Sequence, residues 1–471
     1  MRNNPRNRRH PTRKRRSFGL NLGSFAHKLR LAATGIVALT VGSLLCLAIF
    51  PDVFDENAGP GPVPLAVPYA EERSERKSVE PEPGRIAGPS RVVDVSELRP
   101  AEAEIQGSRL IQTLPAGQEV TYTLNPALQL RATQILSHND VPFGAAVAID
   151  PRDGRVLAMV DHRQGHEDGG GFVLQSTQPA ASIFKIVTSA ALMELKGIRP
   201  TDRFCYHGGS GGITAALLKP SPKQDTGCRT LAEALGHSTN VIYGRLADQH
   251  LTPDALQEWA GRFAFNTRIP FLWETGTSRV DLPHERLRFA QSAAGFHHTH
   301  MSPLHGAMIA AAIGNQGRMM RPRIVERVTQ DSMVLYQMEP DTLRVSVGPD
   351  TAQKLTSMLT TTTRVGTARR YFQKAHPVLK GMAVAAKTGS LSSTTGGKRR
   401  HNSWFVAFAP AENPEIAVAV LVVNDPKWRI KATYLGRELL EEHFLSKQTV
   451  GKKKKSDVRV VRTRKDKNRG R

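Results

Sequence analysis

The chain has 471 residues, enough for one large core with appendages and too many for a single small domain. Its net charge of +23 points toward nucleic acid only until the distribution is read: residues 1–30 hold ten Lys/Arg and no acid, and residues 447–471 hold twelve Lys/Arg against two Asp. The two tails carry +10 each and leave +3 for everything between, which excludes a broadly basic nucleic-acid face on the folded part.

Residues 1–30 read as a basic cytoplasmic tail. Leu31 to Phe50 follow, twenty residues without a charge. At about 1.5 Å per residue they span the roughly 30 Å hydrocarbon core. The arginine-rich flank stays inside, which places everything after Pro51 across the membrane. A cleaved signal peptide has a shorter apolar region ending at small residues, and Cys46 as a lipidation site would follow bulky Leu45. The expectation is an uncleaved single-pass anchor in a lipid bilayer, with the basic tail on the cytoplasmic side. Residues 51–115 mix Pro, Gly and charge, as in Pro60-Gly-Pro-Val-Pro64 and Glu71-Glu-Arg-Ser-Glu-Arg-Lys77, and read as a spacer.

Order is expected from near Val120. Asn125-Pro126 has the chemistry of an N-cap followed by proline at the first helical position, and Leu128, Ile135 and Leu136 supply an apolar face. The runs 144–150 and 155–160 flank Pro151-Arg-Asp-Gly154, a hairpin. Residues 180–370 are mainly helical in pattern. Strands return at 381–386, 403–409 and 415–423. Strands at both ends with helices between predict an α+β domain: one antiparallel sheet of about five strands, closed by the two ends of the chain and carrying a mainly helical inserted subdomain. Cys205 and Cys228 bracket a Gly/Pro-rich segment on the exported side, where a disulfide is expected and two free thiols are the alternative. The basic tail 447–471 reads as disordered and solvated, with contact to anionic envelope polymers as the alternative.

The segment Ile183 to Met193 has only Lys185, Thr188 and Ser189 as polar residues, so the helix it forms should be buried. Three residues apart, Ser182 and Lys185 share a face. Burial disfavours the ammonium, and a neutral amine beside a hydroxyl is a general base beside a nucleophile. Ser-x-x-Lys alone is weak: Ser74-Glu-Arg-Lys77 repeats it in the spacer, and a lysine reaching for water is the ordinary explanation. Two more motifs follow in order, Ser238-Thr-Asn240 and Lys387-Thr388-Gly389, the latter at the end of an apolar strand. Ser137-His-Asn139 matches the second but precedes the serine.

With these three motifs in this order, the sequence resembles the transpeptidase domain of penicillin-binding proteins. The segments 144–159, Thr299-His-Met-Ser-Pro-Leu304, Asn315-Gln-Gly317 and Ser403-Trp-Phe-Val-Ala-Phe-Ala-Pro410 extend the resemblance over residues 116–446. It implies that Ser182 attacks the penultimate D-alanine carbonyl of a peptidoglycan stem peptide and that Lys185 takes its proton. By the same resemblance Ser238 relays a proton to the leaving amine, Asn240 orders Lys185 and the substrate amide, and Lys387 and Thr388 bind the terminal carboxylate. Gly389 admits the substrate backbone, and the amides of Ser182 and Ser390 form the oxyanion hole. β-Lactams become covalent inhibitors and cell-wall assembly proteins become partners; no cofactor and no nucleic acid are implied.

Ala181 stands where many relatives have glycine, and Ile186 where many have proline. The spacer is too short for a glycosyltransferase domain, so cross-linking without glycan polymerisation is expected. The alternatives are a D,D-carboxypeptidase or β-lactamase, in which water takes the acyl group, and a β-lactam sensor or scaffold, against which the short segment before the anchor counts. The histidines of Phe296-His-His-Thr-His300 have no second ligand cluster, so no metal is expected. The stretch Ser392 to His401 reads as an active-site rim or as a solvated hairpin loop.

Overall fold

The computed structural model of the protein describes residues 88–166, 171–209, 212–395 and 398–448. The apolar stretch 31–50 and the tail 1–30 lie outside the described residues, as do the spacer up to residue 87 and the tail from residue 449. Among the described residues no helix is long and apolar enough to cross a membrane.

The core is a five-stranded sheet made of β1 (Phe143–Ile149), β2 (Val156–Arg163), β3 (Ala385–Thr395), β4 (Lys398–Ala409) and β5 (Ile416–Asn424), in the order β3-β4-β5-β1-β2 and antiparallel throughout. The closure falls between β5 and β1, where Ala417 faces Ile149 and Val423 faces Phe143. Every residue of β5 is buried, as its unbroken Ile416-Ala-Val-Ala-Val-Leu-Val-Val423 run requires of a strand covered on both faces.

One face is covered by α1 (Pro126–His138) and by the helix over residues 432–448. The Asn125 side chain accepts from the amides of Ala127 and Leu128 and starts α1. The other face meets a helical layer of α2 (Lys185–Lys196), α3 (Leu231–Gly236), α4 (Asn240–His250), α5 (Arg286–Ala293), α6 (Pro303–Gly314) and α7 (Pro349–Arg364). Pro303 to Ile313 of α6 are all buried, and their apolar circumference suits a helix lying between the sheet and the rest of the layer.

Three expectations are corrected. The folded unit reaches back into the spacer: Glu104–Gln106 and Arg109–Thr113 join Glu119–Tyr122, Val325–Gln330 and Met333–Gln337 in a second antiparallel sheet. Val93, Leu98, Leu110 and Leu114 are buried in it, too few and too irregularly spaced to show a period. The middle of the chain is accordingly less helical than its pattern, since Arg318–Met320 and Thr342–Val345 pair as well. Finally, β3 begins only at Ala385 and continues to Thr395, so Lys387-Thr388-Gly389 lies near the start of a strand and not at the end of one. Ser392 to His401 is mostly hairpin strand, because the Ser/Thr side chains of its polar edge do not need a core to pair.

Candidate active site

The chain enters the site through a two-residue strand, Gln178–Pro179, paired with His300–Met301. It then turns in a 3-10 segment, Ala181–Ile183, from which α2 starts at Lys185. In a 3-10 turn residues i and i+3 eclipse, which brings Ser182 Oγ to 2.8 Å from Lys185 Nζ. Ala181 takes φ 49°, the left-handed region that favours glycine. Gly295, at φ 85°, lets the chain after α5 press on this turn, since a Cβ there would lie 2.1 Å from the Ala181 carbonyl oxygen.

Lys185 is completely buried. Its Nζ lies 2.9 Å from Asn240 Oδ1 and 2.5 Å from the Ala294 carbonyl oxygen, and sits over the Tyr243 ring at 5.6 Å from the centroid. Burial, reinforced by the nearby Lys387 charge, pushes its pKa well below the usual lysine range. The oxygens of Asn240 and Ala294 are acceptors only, so they take the two hydrogens of a neutral amine. The lone pair then faces Ser182, whose hydroxyl can donate to it.

Ser238 lies between α3 and α4 at φ 56°, and Asn240 is the first residue of α4. Arg229 donates to Thr239 Oγ1 at 2.5 Å and so fixes the residue between them. Ser238 Oγ accepts from Lys387 Nζ at 3.0 Å, and the Thr388 carbonyl accepts from the same nitrogen at 2.8 Å. Lys387 is also fully buried, which lowers its pKa to about 7. Ser182, Lys185 and Asn240 thus form one hydrogen-bonded group and Ser238 and Lys387 another, with the Lys387 charge felt at Lys185.

β3 is an edge strand of the sheet, and at Gly389 it packs against the Ser182 turn. A Cβ at Gly389 would lie 3.2 Å from both Ala181 Cβ and Trp404 Cβ and 3.4 Å from the Ser182 nitrogen, so a larger residue there would crowd the serine turn. Trp404, opposite Gly389, donates from Nε1 to the Pro179 carbonyl oxygen at 2.8 Å and ties the turn to the sheet. Thr388 is half-buried and Ser390, opposite Ser403, is exposed. An unpaired strand edge beside a nucleophile can accept an extended peptide through main-chain hydrogen bonds.

Sequence reasoning missed several contributors. The Ala294 carbonyl and Gly295 carry no motif of their own. Thr367 bonds Thr388 at 2.6 Å between hydroxyl oxygens. Ser189 lies 2.6 Å from the Tyr243 hydroxyl and donates to the Lys185 carbonyl at 2.7 Å. Only the glycine and the polar positions on an apolar helix could have marked them. Cys205 and Cys228 are directly opposite on paired strands and joined as a disulfide; α3 follows that strand immediately. Among the described residues no group of three His, Cys, Asp or Glu could hold a metal ion.

Residues 144–440 match the family described as penicillin binding protein transpeptidase domain. The chain is similar to the peptidoglycan D,D-transpeptidase PbpA of Mycolicibacterium smegmatis, at 27% identity over 361 residues, 68% of this chain and 70% of that protein. It is 28% identical over 366 residues to PbpA of Mycobacterium tuberculosis, with the same coverage. Among solved structures, the D,D-transpeptidase domain of a peptidoglycan glycosyltransferase from Eggerthella lenta superposes with a TM-score of 0.59 at 27% identity, covering 71% of this chain and 85% of that one. The penicillin-binding protein A of M. tuberculosis solved as an imipenem acyl-enzyme superposes with a TM-score of 0.58 at 25% identity, covering 69% and 80%.

Proposed function

Because the chain belongs to the family of penicillin-binding protein transpeptidase domains, and with it to the serine D-Ala-D-Ala transpeptidases, we propose that Ser182 is its nucleophile and that it cross-links peptidoglycan stem peptides. The observation that carries this is the completely buried Lys185 amine 2.8 Å from the serine oxygen. Ser182 gives its proton to Lys185 as Oγ attacks the penultimate D-alanine carbonyl. The Ser182 and Ser390 amides receive the developing oxyanion. The peptide C–N bond breaks as Ser238, in contact with Lys387, passes a proton to the departing D-alanine nitrogen. Asn240 holds Lys185 and the substrate amide, Lys387 and Thr388 hold the terminal carboxylate, and Gly389 keeps the strand edge clear. An amine of a second stem peptide then attacks the acyl-enzyme carbonyl and gives a proton back to Ser238, and the ester C–O bond breaks as Lys185 returns its proton to Ser182 Oγ.

β-Lactams occupy the same path and stop at the acyl-enzyme. On this reading residues 31–50 anchor the chain in the cytoplasmic membrane with the catalytic domain outside, and the chain cross-links without polymerising glycan. The test is to supply the full chain in detergent with a D-Ala-D-Ala peptide and an amine acceptor. Release of D-alanine matched by a new peptide–acceptor amide supports the proposal; release matched only by the shortened acid makes the chain a carboxypeptidase, and no Ser182-dependent release refutes it.

A further inference from the structure

Thr367 lies where three elements meet. It follows Gly366, where a Cβ would fall 2.1 Å from the Gly236 carbonyl oxygen, so the turn after α7 is pressed against the end of α3. The Thr367 amide donates to that Gly236 oxygen at 3.1 Å, and the Ala368 amide to Thr362 at 3.0 Å; the turn is therefore held by backbone on both sides. From this fixed point the Thr367 hydroxyl reaches Thr388 Oγ1 at 2.6 Å, with the Gly236 oxygen a distant second partner at 3.4 Å.

Two hydroxyls at that separation share one hydrogen between them, and its direction decides what the other can do. Thr388 has a single hydrogen. If it points to Thr367, Thr388 offers only lone pairs to the cleft and repels an anion. If Thr367 donates, Thr388 accepts and its own hydrogen is released toward the cleft. Thr367 gives up only the 3.4 Å contact in doing so, because Gly236 keeps the backbone N–H. An entering carboxylate selects the second arrangement, since a hydrogen bond to an anion is stronger than one between neutral hydroxyls and a chain of them is cooperative.

We propose that Thr367 is a positioning residue that sets the Thr388 hydroxyl as a donor to the carboxylate of the substrate or of a β-lactam. This rests on the function proposed above. It assigns to the turn after α7 a part in recognising the anionic terminus, without contact to the reacting atoms.

The experiment measures acylation of the full chain by a labelled penicillin in wild type, Thr367→Val, Thr367→Ser, Thr388→Val and the Thr367→Val/Thr388→Val double variant, separating the dissociation constant from the first-order acylation constant. Thr367→Val should weaken binding about tenfold, the scale of one hydrogen bond to a charged group, with the acylation constant little changed. Thr367→Ser should restore binding, and the double variant should bind no worse than Thr388→Val alone. With the penicillin methyl ester, which has no anion to orient, the Thr367→Val effect should disappear. The proposal is overturned if Thr367→Val binds as wild type does, if its effect persists equally with the ester, or if the two substitutions add in full. A wild-type chain that takes no label at Ser182 refutes the catalytic reading itself, and this inference with it.

Discussion

Lys185 and Lys387 are both fully buried, and the Lys387 charge adds to the burial that disfavours the Lys185 ammonium. On the proposed mechanism Lys185, held well below the usual lysine range, must be neutral, and Lys387, at about 7, carries charge toward a carboxylate. The acylation efficiency of a labelled penicillin should therefore be bell-shaped in pH. It is lost at low pH as Lys185 protonates and declines above about 7 as Lys387 loses its proton in the free protein. Lys387→Met should lower the efficiency on the order of a hundredfold, as truncating one partner of a buried charge pair does, and flatten the alkaline limb. Lys185→Arg should abolish acylation, because a guanidinium does not give up its proton near neutral pH; a fully active arginine variant would refute the base assignment. The same burial costs stability. Between about 7 and 10.5 the unfolded chain binds a proton at Lys387 that the folded one does not, so this group's penalty is full below that window and relieved as pH rises through it. Urea midpoints measured at about pH 6 and about pH 9 should rise by less in Lys387→Met than in wild type.

At the scale of elements, the site is a set of termini: a 3-10 turn, the gap between α3 and α4, the end of α5, and a free strand edge. What holds them in register is close backbone approach. Gly295→Ala should force a Cβ to within 2.1 Å of the Ala181 carbonyl oxygen at a position with φ 85°, displacing the serine turn. We expect a loss of about 2–3 kcal/mol in unfolding free energy and acylation reduced more than stability alone explains. The Cys205–Cys228 bond joins two residues at a sequence separation of 23 and holds the strand leading into α3. Replacing both cysteines by alanine should cost about 3 kcal/mol in denaturant unfolding while Ser182 remains open to acylation in the folded fraction. Legibility followed the same division. Ser182 and Lys185 were readable because one lysine in the apolar segment from Ile183 to Met193 is conspicuous. Lys387 was readable, but the strand containing it began later and ran longer than its apolar run, since the edge from Ser390 to Thr395 is polar and pairs through backbone alone. Ala294 acts through a carbonyl, which any residue supplies, and Thr367 through one hydroxyl in a helix-end run of four other threonines, Thr360 to Thr363; neither could be singled out.

Over the whole molecule, the first hairpin and the last three strands share one sheet although about 220 residues separate β2 from β3. That closure was legible because apolar strands at both ends have no other partner of their own kind. The leading segment from residue 88 was not, because its few buried residues, Val93, Leu98, Leu110 and Leu114, are too sparse and irregular to show a period. The anchor reading predicts that the full chain sediments with membranes and that a chain starting after Phe50 does not, with acylation retained by both; a full chain found in the soluble fraction would remove it. The central claim is the serine nucleophile served by a buried amine, and a labelled penicillin tests it most directly. Mass spectrometry of the full chain should find the label as a stable adduct on the peptide containing Ser182, with Ser182→Ala unlabelled. A wild type without that adduct, or an alanine variant labelled equally, would contradict the account.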